Sequence, residues 1–385
     1  MSDHRLPQGF RSTTAHFGLR EDGDDFTVLV SESPARCAAV FTQSRFAGPS
    51  VLISRAAAAD GRARGVVVVA KNANVATGKQ GEADALEVRR SVARTMGVDE
   101  DELLIASTGV IGRRYPMEQL RAGLRTLEWP FGQANFDAAA RAIMTTDTRP
   151  KTITVPCGAA TITGIAKGVG MLEPDMATLL TFFCTDADLP ADRLEGVFRS
   201  VMDRTFNALS IDTDTSTSDT AAVFANGLAG PVDVHEFEQA LERAALHLVR
   251  EIARDGEGAA KLIEVRVSEA RDAAQAKRVG KTVVNSPLVK TAVHGADPNW
   301  GRVAMAIGKC RDDLDIVPER VRISFGDVQV YPGDVDDRAL DALRRHLGGD
   351  EVVISIGLGI AEGSFTVYGC DLSEGYVRLN ADYTT

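Results

Sequence analysis

Short apolar runs bounded by Gly, Pro and Asp alternate with helical patterns through the first half of the chain. Apolar, β-branched runs of this kind predict strands, and they lie at Thr27–Val30, Ala38–Thr42 and Val66–Ala70. Apolar residues that recur every three to four positions predict helices at Glu82–Met96, Met117–Leu127 and Asn135–Met144. After Pro150 the pattern predicts further strands at Thr152–Val155, Ala160–Ile165 and Leu179–Thr185.

Two amphipathic helices, Ala191–Phe206 and His235–Ala253, open the second half. From Leu262 onward the pattern is dominated by alternating strands around one helix near Arg338–Leu347, and the strand-like Tyr376–Asn380 lies close to the end. This order predicts an α/β protein with mixed β-sheets layered with helices. We expect a large α/β domain over about residues 1–284 and a smaller C-terminal α/β domain over about 285–385.

Charge and composition exclude several classes of function. The 385 residues carry 43 Lys and Arg against 54 Asp and Glu, a formal charge of −11. The basic residues are dispersed, which argues against binding to nucleic acid or to an anionic membrane surface. No apolar run is long enough to span a bilayer and the first residues lack an apolar signal core, so we expect a cytoplasmic protein.

The cysteines and the familiar nucleotide motifs give no sign of a metal or cofactor. Five widely spaced cysteines without histidine neighbours indicate reduced packing thiols, with neither a disulfide framework nor a zinc site. Gly280-Lys281-Thr282 lacks the earlier glycine of a phosphate-binding loop and is predicted to be a turn. Gly357, Gly359 and Gly363 miss the dinucleotide-binding spacing. The histidines are scattered, so a nucleophilic enzyme built on this chain needs another base.

The segment 166–180 carries the most informative chemistry. Gly168, Gly170 and Pro174 describe irregular backbone that leads into an apolar strand beginning at Thr178. A threonine hydroxyl is a poor nucleophile unless a base lies within hydrogen-bond reach. Cleavage of the Ala177–Thr178 bond would supply that base, because the new α-amino group has an ordinary pKa of about 7.7–8.0. The residues alone leave open that this Ala-Thr pair only packs.

Ordered motifs across nearly the whole chain resemble the ornithine acetyltransferase family, also called glutamate N-acetyltransferase. They are Ser107–Gly112, Met144–Thr148, Ala166–Leu180, Asp212–Asp219, Asp255–Gly258, Asn285–Ala292, Asp297–Arg302 and Asn380–Thr385. Within the family the sequence is most similar to the glutamate N-acetyltransferases of clavulanic acid gene clusters, notably at Arg45–Ser50, Asn72–Gly78 and Gly168–Asp175.

The resemblance implies a self-processing enzyme with an N-terminal-nucleophile mechanism on a family-specific topology. Cleavage before Thr178 would give an alpha chain, 1–177, and a beta chain, 178–385. Acetyl would then pass from N2-acetyl-L-ornithine to L-glutamate through an ester on the Thr178 hydroxyl, with ping-pong kinetics. The family uses no cofactor in this exchange, and it suggests a heterotetramer or another oligomer of processed heterodimers.

The resemblance also assigns roles residue by residue. The oxyanion hole maps to the Thr108 hydroxyl and the Gly109 N–H. The substrate contacts map to Thr145, Lys167, Thr178, Glu257, Asn380 and Thr385. Of these, Lys167 suits an α-carboxylate and Glu257 the cationic δ-amine of ornithine. The residue types alone also allow a strand-to-loop turn at Ser107–Gly112, a solvated charge at Lys167, a helix end at Glu257 and a frayed tail.

Two other classes of function remain open from the sequence. A related aminopeptidase or amidase would use the same nucleophile with water as acceptor, and a non-catalytic binding protein could retain the fold. The chain differs from the residues usual in arginine-pathway members of the family at Val169, Thr213-Asp214 and Ser218-Asp219. The differences lie outside the proposed catalytic positions, and they leave open whether the enzyme serves primary arginine synthesis or a specialised pathway.

Overall fold

The computed structural model describes residues 5–173 and 179–382, and the chain divides into two compact units. The first unit comprises the residues up to Asn207 together with Asp214–Leu248, and the second comprises Ala208–Thr213 and the residues from Val249 to Tyr383. The strand at Leu262–Ala270 pairs with two later strands of the second unit. The second unit therefore begins ahead of residue 285, the position at which the sequence pattern predicted the start of the C-terminal domain.

Two five-stranded sheets form the first unit. One sheet has the order β5-β4-β2-β1-β6 and the other the order β3-β10-β9-β8-β7. The strand bounds are β1 Phe10–Ala15, β2 Phe26–Ser31, β3 Arg36–Phe41, β4 Gly65–Val69, β5 Leu103–Ser107, β6 Gly132–Gln133, β7 Lys151–Cys157, β8 Ala160–Lys167, β9 Leu180–Asp188 and β10 Thr220–Pro231. The β4–β5 and β9–β10 pairs are parallel and the others antiparallel.

Helices pack against both of these sheets. The helices are α1 Pro49–Ala57, α2 Gly78–Met96, α3 Met117–Leu124, α4 Phe136–Ala142, α5 Ala191–Arg204 and α6 Val234–Arg254. On β4, Val66 and Val68 face the second sheet, whereas Val67 and Val69 face α2 and α3. Because side chains alternate along a strand, a run of four valines fills two cores at once. The predicted layering of mixed sheets with helices is confirmed.

The second unit contains a five-stranded sheet of order β13-β12-β14-β11-β15. Its strands are β11 Leu262–Ala270, β12 Arg322–Phe325, β13 Val328–Tyr331, β14 Glu351–Gly357 and β15 Gly363–Cys370. Its helices are α7 Ala273–Val284, α8 Pro287–His294, α9 Trp300–Ile307, α10 Asp337–Leu347 and α11 Glu374–Asp382. The sequence pattern predicted one helix in this region, so its count was wrong.

Two local predictions in the second unit were wrong for identifiable reasons. Gly280-Lys281-Thr282 lies inside α7 instead of forming a turn. A Cβ at Gly280 would lie 2.7 Å from the Val367 side chain, so this glycine lets the helix approach the sheet closely. Tyr376–Asn380 lies in α11 instead of a strand, and Val377 and Leu379 are 63% and 46% exposed. The two residues alternate with polar ones, as in a half-buried strand, but neither side chain is buried.

None of the helices within residues 5–173 and 179–382 combines the length and the apolar character needed to cross a membrane.

Candidate active site

Thr108 and Gly109 follow directly from the end of β5. The Thr108 N–H donates to the Val69 carbonyl at 3.1 Å, and the Val110 N–H donates to the Lys71 carbonyl at 3.3 Å. Between them, Gly109 has φ +127°, and a Cβ there would lie 2.2 Å from the carbonyl carbon of Lys71. Only glycine fits this corner. Within the described part of the chain, the Gly109 N–H has no hydrogen-bond acceptor.

Lys167 ends β8 and contacts Thr108. Its Nζ donates to Thr108 Oγ1 at 3.0 Å, and the residue is 9% exposed. The solvated loop charge that the sequence alone allowed is therefore wrong. Burial lowers the pKa of Lys167, while the nearby carboxylates of Asp147 and Asp219 act in the opposite direction. The ammonium group thus lies in an interior where its charge and hydrogen bonds are strong.

Asp147 joins two loops beside this lysine. Its Oδ1 lies 2.8 Å from Lys151 Nζ and accepts the Gly168 N–H at 2.9 Å, while its Oδ2 accepts the Thr145 N–H at 3.2 Å. The side chains of Asp147 and Lys151 are both 0% exposed. Burial alone would raise the pKa of Asp147, but the charges of Lys151 and Lys167 and these hydrogen bonds hold it below its ordinary value. The carboxylate therefore fixes the backbone on both sides of the site.

Thr145 lies next to the same corner. Its carbonyl accepts a hydrogen bond from Lys71 Nζ at 2.5 Å, and Lys71 is the residue whose backbone packs against Gly109. The first unit therefore brings together Thr108, Gly109, Thr145 and Lys167, four of the residues that the family resemblance assigned. Ala177 and Thr178 lie outside the described residues.

Asp219 is a buried carboxyl group that the sequence analysis assigned no role. The next residue, Thr220, donates its N–H to the Leu179 carbonyl at 2.9 Å at the start of the parallel β9–β10 pair. The Asp219 Oδ2 atom is buried and has no hydrogen-bond partner among the described residues. Burial raises the pKa of Asp219 well above its ordinary value, although a hydrogen bond from Ser216 and the charge of Lys167 oppose the rise.

The second unit contains a separate pair of assigned residues, Glu257 and Asn380. Asn380 Nδ2, on α11, donates to Glu257 Oε2 at 2.9 Å and to the Tyr376 carbonyl at 3.0 Å. Gly258 has φ +67°, and a Cβ there would lie 2.3 Å from the Tyr376 nitrogen, so the loop after α6 packs tightly on α11. Glu257 is therefore held in a loop, not at a helix end. Thr385 lies outside the described residues.

The cysteines and the possible metal ligands add no further reactive centre. All five cysteines are free thiols, and burial raises the pKa of Cys157 and of Cys370 to about 11. Thiols with so high a pKa carry little thiolate at neutral pH and are weak nucleophiles. In the part of the chain that the structure describes, no group of three or more His, Cys, Asp or Glu side chains is placed to hold a metal ion.

Comparison with known proteins places this arrangement in a family. A glutamate N-acetyltransferase, Oat2, of Streptomyces clavuligerus is 70% identical over 100% of both chains. An arginine biosynthesis bifunctional protein ArgJ of Rhodococcoides fascians is 56% identical over 98% of this chain and 94% of its own. A solved ArgJ structure from Bacillus halodurans is 38% identical, covers 51% of this chain and 96% of its own, and has a TM-score of 0.48. The ArgJ family model matches residues 11–385, and the chain therefore belongs to the ArgJ family, as the motif order predicted.

Proposed function

We propose that this ArgJ-family enzyme transfers acetyl from N2-acetyl-L-ornithine to L-glutamate, giving L-ornithine and N-acetyl-L-glutamate. The observation that carries the proposal is the corner at the end of β5, where the Thr108 hydroxyl and the Gly109 N–H lie beside a buried lysine. The names of the full-length relatives, glutamate N-acetyltransferase and arginine biosynthesis bifunctional protein, support the same reaction.

The corner suits an oxyanion. Attack on an amide or ester carbonyl gives a tetrahedral intermediate with negative charge on oxygen, and donors fixed in advance stabilise it. The Gly109 N–H has no acceptor in the described residues, and the tight packing of Gly109 on Lys71 holds its direction. Thr108 supplies the second donor. The buried ammonium of Lys167 adds positive charge where water would otherwise screen it.

The nucleophile in this proposal is Thr178, freed by self-cleavage after Ala177. Its hydroxyl attacks the acetyl carbonyl while the proton passes to its own α-amine. The C–N bond then breaks, and the same proton leaves with the amine of ornithine. In the second half-reaction the amine of glutamate attacks the acetyl ester, the C–O bond breaks and the hydroxyl regains its proton. Each half-reaction balances without ATP or coenzyme A.

Glu257 is proposed to bind the cationic δ-amine of ornithine. Glu257 is buried, Asn380 donates to one of its carboxylate oxygens, and a carboxylate forms strong charge-assisted hydrogen bonds with an ammonium group. Thr145, Lys167, Asn380 and Thr385 are the remaining proposed substrate contacts. An ammonium group has three hydrogens, so Lys167 can donate to Thr108 and also to a substrate α-carboxylate.

The two halves are proposed to stay together after cleavage as a heterodimer. The alpha chain would contain β3, β7 and β8, and the beta chain β9 and β10, yet all five strands belong to one sheet. Ladder hydrogen bonds between β8 and β9 and between β10 and β3 would hold the chains without a covalent link. Assembly into an oligomer of heterodimers, a cytoplasmic location and a place in arginine or clavulanic-acid-related metabolism remain predictions.

Denaturing electrophoresis with N-terminal sequencing tests the processing step. The purified protein should give two bands, one for the alpha chain and one for the beta chain. Thr178 should be the first residue of the beta chain. Thr178→Ala should remain one intact, inactive chain, while Thr178→Ser, which keeps a hydroxyl, should mature and transfer acetyl. An uncut wild-type chain that still transfers acetyl would reject the mechanism.

Steady-state kinetics with N2-acetyl-L-ornithine and L-glutamate tests the reaction itself. Parallel lines in double-reciprocal plots are expected for a covalent acetyl intermediate. Release of acetate at the same rate with and without glutamate would show that water is the acceptor, and would favour the amidase alternative.

A further inference from the structure

We propose that Lys167 is a positioning residue that aims the Thr108 hydroxyl hydrogen at the oxyanion. This inference rests on the proposed function, because it concerns the same transition state. It assigns Lys167 a task apart from the substrate carboxylate contact that the family resemblance implies.

Lys167 and Thr108 differ in their capacity to form hydrogen bonds. A lysine ammonium only donates, whereas a threonine hydroxyl has one hydrogen to donate and two lone pairs that accept. Lys167 Nζ lies 3.0 Å from Thr108 Oγ1, so the threonine oxygen must be the acceptor. The hydroxyl hydrogen therefore points away from Lys167. A charged donor on the oxygen also polarises the O–H bond and strengthens it as a donor.

Lys167 is itself held firmly. It is the last residue of β8, paired with Leu180, and the N–H of the following Gly168 donates to Asp147 at 2.9 Å. Asp147 is fixed in turn by its 2.8 Å contact with buried Lys151. A buried side chain tied at both the backbone and the ammonium end has few rotamers, so it can define the direction of a neighbouring hydroxyl.

The charge of Lys167 favours an anion in the transition state. Among the described residues, its ammonium interacts with the carboxylates of Asp147 and Asp219 and with the ammonium groups of Lys151 and Lys71. Lys167 Nζ lies 3.0 Å from Thr108 Oγ1, so its positive charge is close to the position proposed for the oxyanion. This charge would attract a developing oxyanion more strongly than it attracts the neutral ground-state carbonyl.

Self-cleavage separates this role from substrate binding. Cleavage before Thr178 passes through its own tetrahedral intermediate, with an oxyanion but without any substrate α-carboxylate. A lysine that only binds substrate should not affect maturation. A lysine that orients Thr108 should affect both maturation and the kcat of transfer.

A double-mutant cycle measures the coupling directly. The full-length chain is made by cell-free synthesis as wild type, Lys167→Met, Thr108→Val and the double variant, and the intact fraction is followed by gel. Removing one oxyanion donor typically costs about 10²–10³-fold, so Thr108→Val should slow maturation by that order and Lys167→Met by at least about 10-fold. The double variant should be no slower than Thr108→Val. The exposed Lys79→Met serves as the matched control and should mature at the wild-type rate.

Several outcomes would overturn the inference. Losses that multiply in the double variant would show that Lys167 does not act through Thr108. Wild-type maturation of Lys167→Met with a raised KM for N2-acetyl-L-ornithine would leave it a substrate contact only. If circular dichroism shows that Lys167→Met does not fold, Lys167→Arg replaces it in the cycle. Arginine keeps a charged donor, so Lys167→Arg should keep most of the wild-type maturation rate. A folded Lys167→Arg that matures much more slowly than wild type counts against the inference. A wild-type chain that never cuts itself would refute the proposed function as a whole.

Discussion

The buried pair of Asp147 and Lys151 should be one of the most sensitive points of the first unit. Asp147→Asn keeps the shape of the side chain but removes the negative charge that lies 2.8 Å from the Lys151 ammonium, in a place where both side chains are 0% exposed. Breaking such a pair from one side costs about 3–5 kcal/mol. With about 2–4 °C of Tm per kcal/mol for a domain of this size, the expected loss is roughly 6–20 °C.

The losses of stability at Asp147 and Lys151 should be strongly non-additive. Lys151→Met should cost a similar amount, because it leaves the carboxylate buried, but the double variant Asp147→Asn/Lys151→Met should cost clearly less than the sum of the two. Differential scanning calorimetry of the four proteins at pH 7 supplies the cycle. Additive losses, or a loss below about 1 kcal/mol for Asp147→Asn, would show that water or another group compensates the charge and would refute the argument.

The same pair has a defined pH dependence. The pKa of Asp147 is held below its ordinary value, so the stabilisation is fully present above the ordinary carboxyl pKa of about 3.9 and is lost as pH falls through the lowered value. The Tm difference between wild type and Asp147→Asn should therefore be constant near neutral pH and shrink below about pH 4. A difference that grows on acidification would contradict this sign.

Gly109→Ala, whose Cβ would lie 2.2 Å from the Lys71 backbone, should abolish maturation on a denaturing gel, whereas Gly112→Ala, also at positive φ but with open space around it, should mature; equal behaviour would refute the steric argument. Asp219→Asn should gain Tm relative to wild type as pH rises above about 4, because burial raises the pKa of the carboxyl and its ionisation opposes folding; no gain at pH 8 would contradict this. Glu257→Gln should raise KM for N2-acetyl-L-ornithine by about tenfold or more and change KM for glutamate much less, and equal changes would count against its amine-binding role.

Much of the first unit could be predicted from periodicity. β4 is buried at every position and α2 carries one apolar face, so each of these patterns had one reading. The second unit was harder. The Gly280 region packs on β15 through a missing side chain, and α11 buries no apolar face. At Gly280 a tertiary contact decides the structure, whereas at α11 the alternation of apolar and polar residues predicted the wrong element.

The site shows the same division between local and long-range information. Family motifs identified four residues of the site, Thr108, Gly109, Thr145 and Lys167. Motif similarity assigns residue positions even when nothing is known of the contacts between them. Asp147, Lys151 and Asp219 were given no role. Asp147 and Lys151 are only four residues apart, but one lies in a loop and the other at the start of β7. At such places a spacing of four residues does not define a contact as it does in a helix, so the sequence does not predict that the two form a buried pair.

The order of strands in the second sheet of the first unit has a consequence for how this protein can be made. β9 and β10 form its central pair, with β3 on one flank and β8 and β7 on the other. If residues 1–177 and 178–385 were synthesised as separate polypeptides, each would present long unpaired strand edges, which invite aggregation. In the proposed self-cleavage, a single translation product would avoid this hazard, since the sheet would form before the bond between residues 177 and 178 is cut. Maturation would then be a late event that only a correctly assembled molecule can reach.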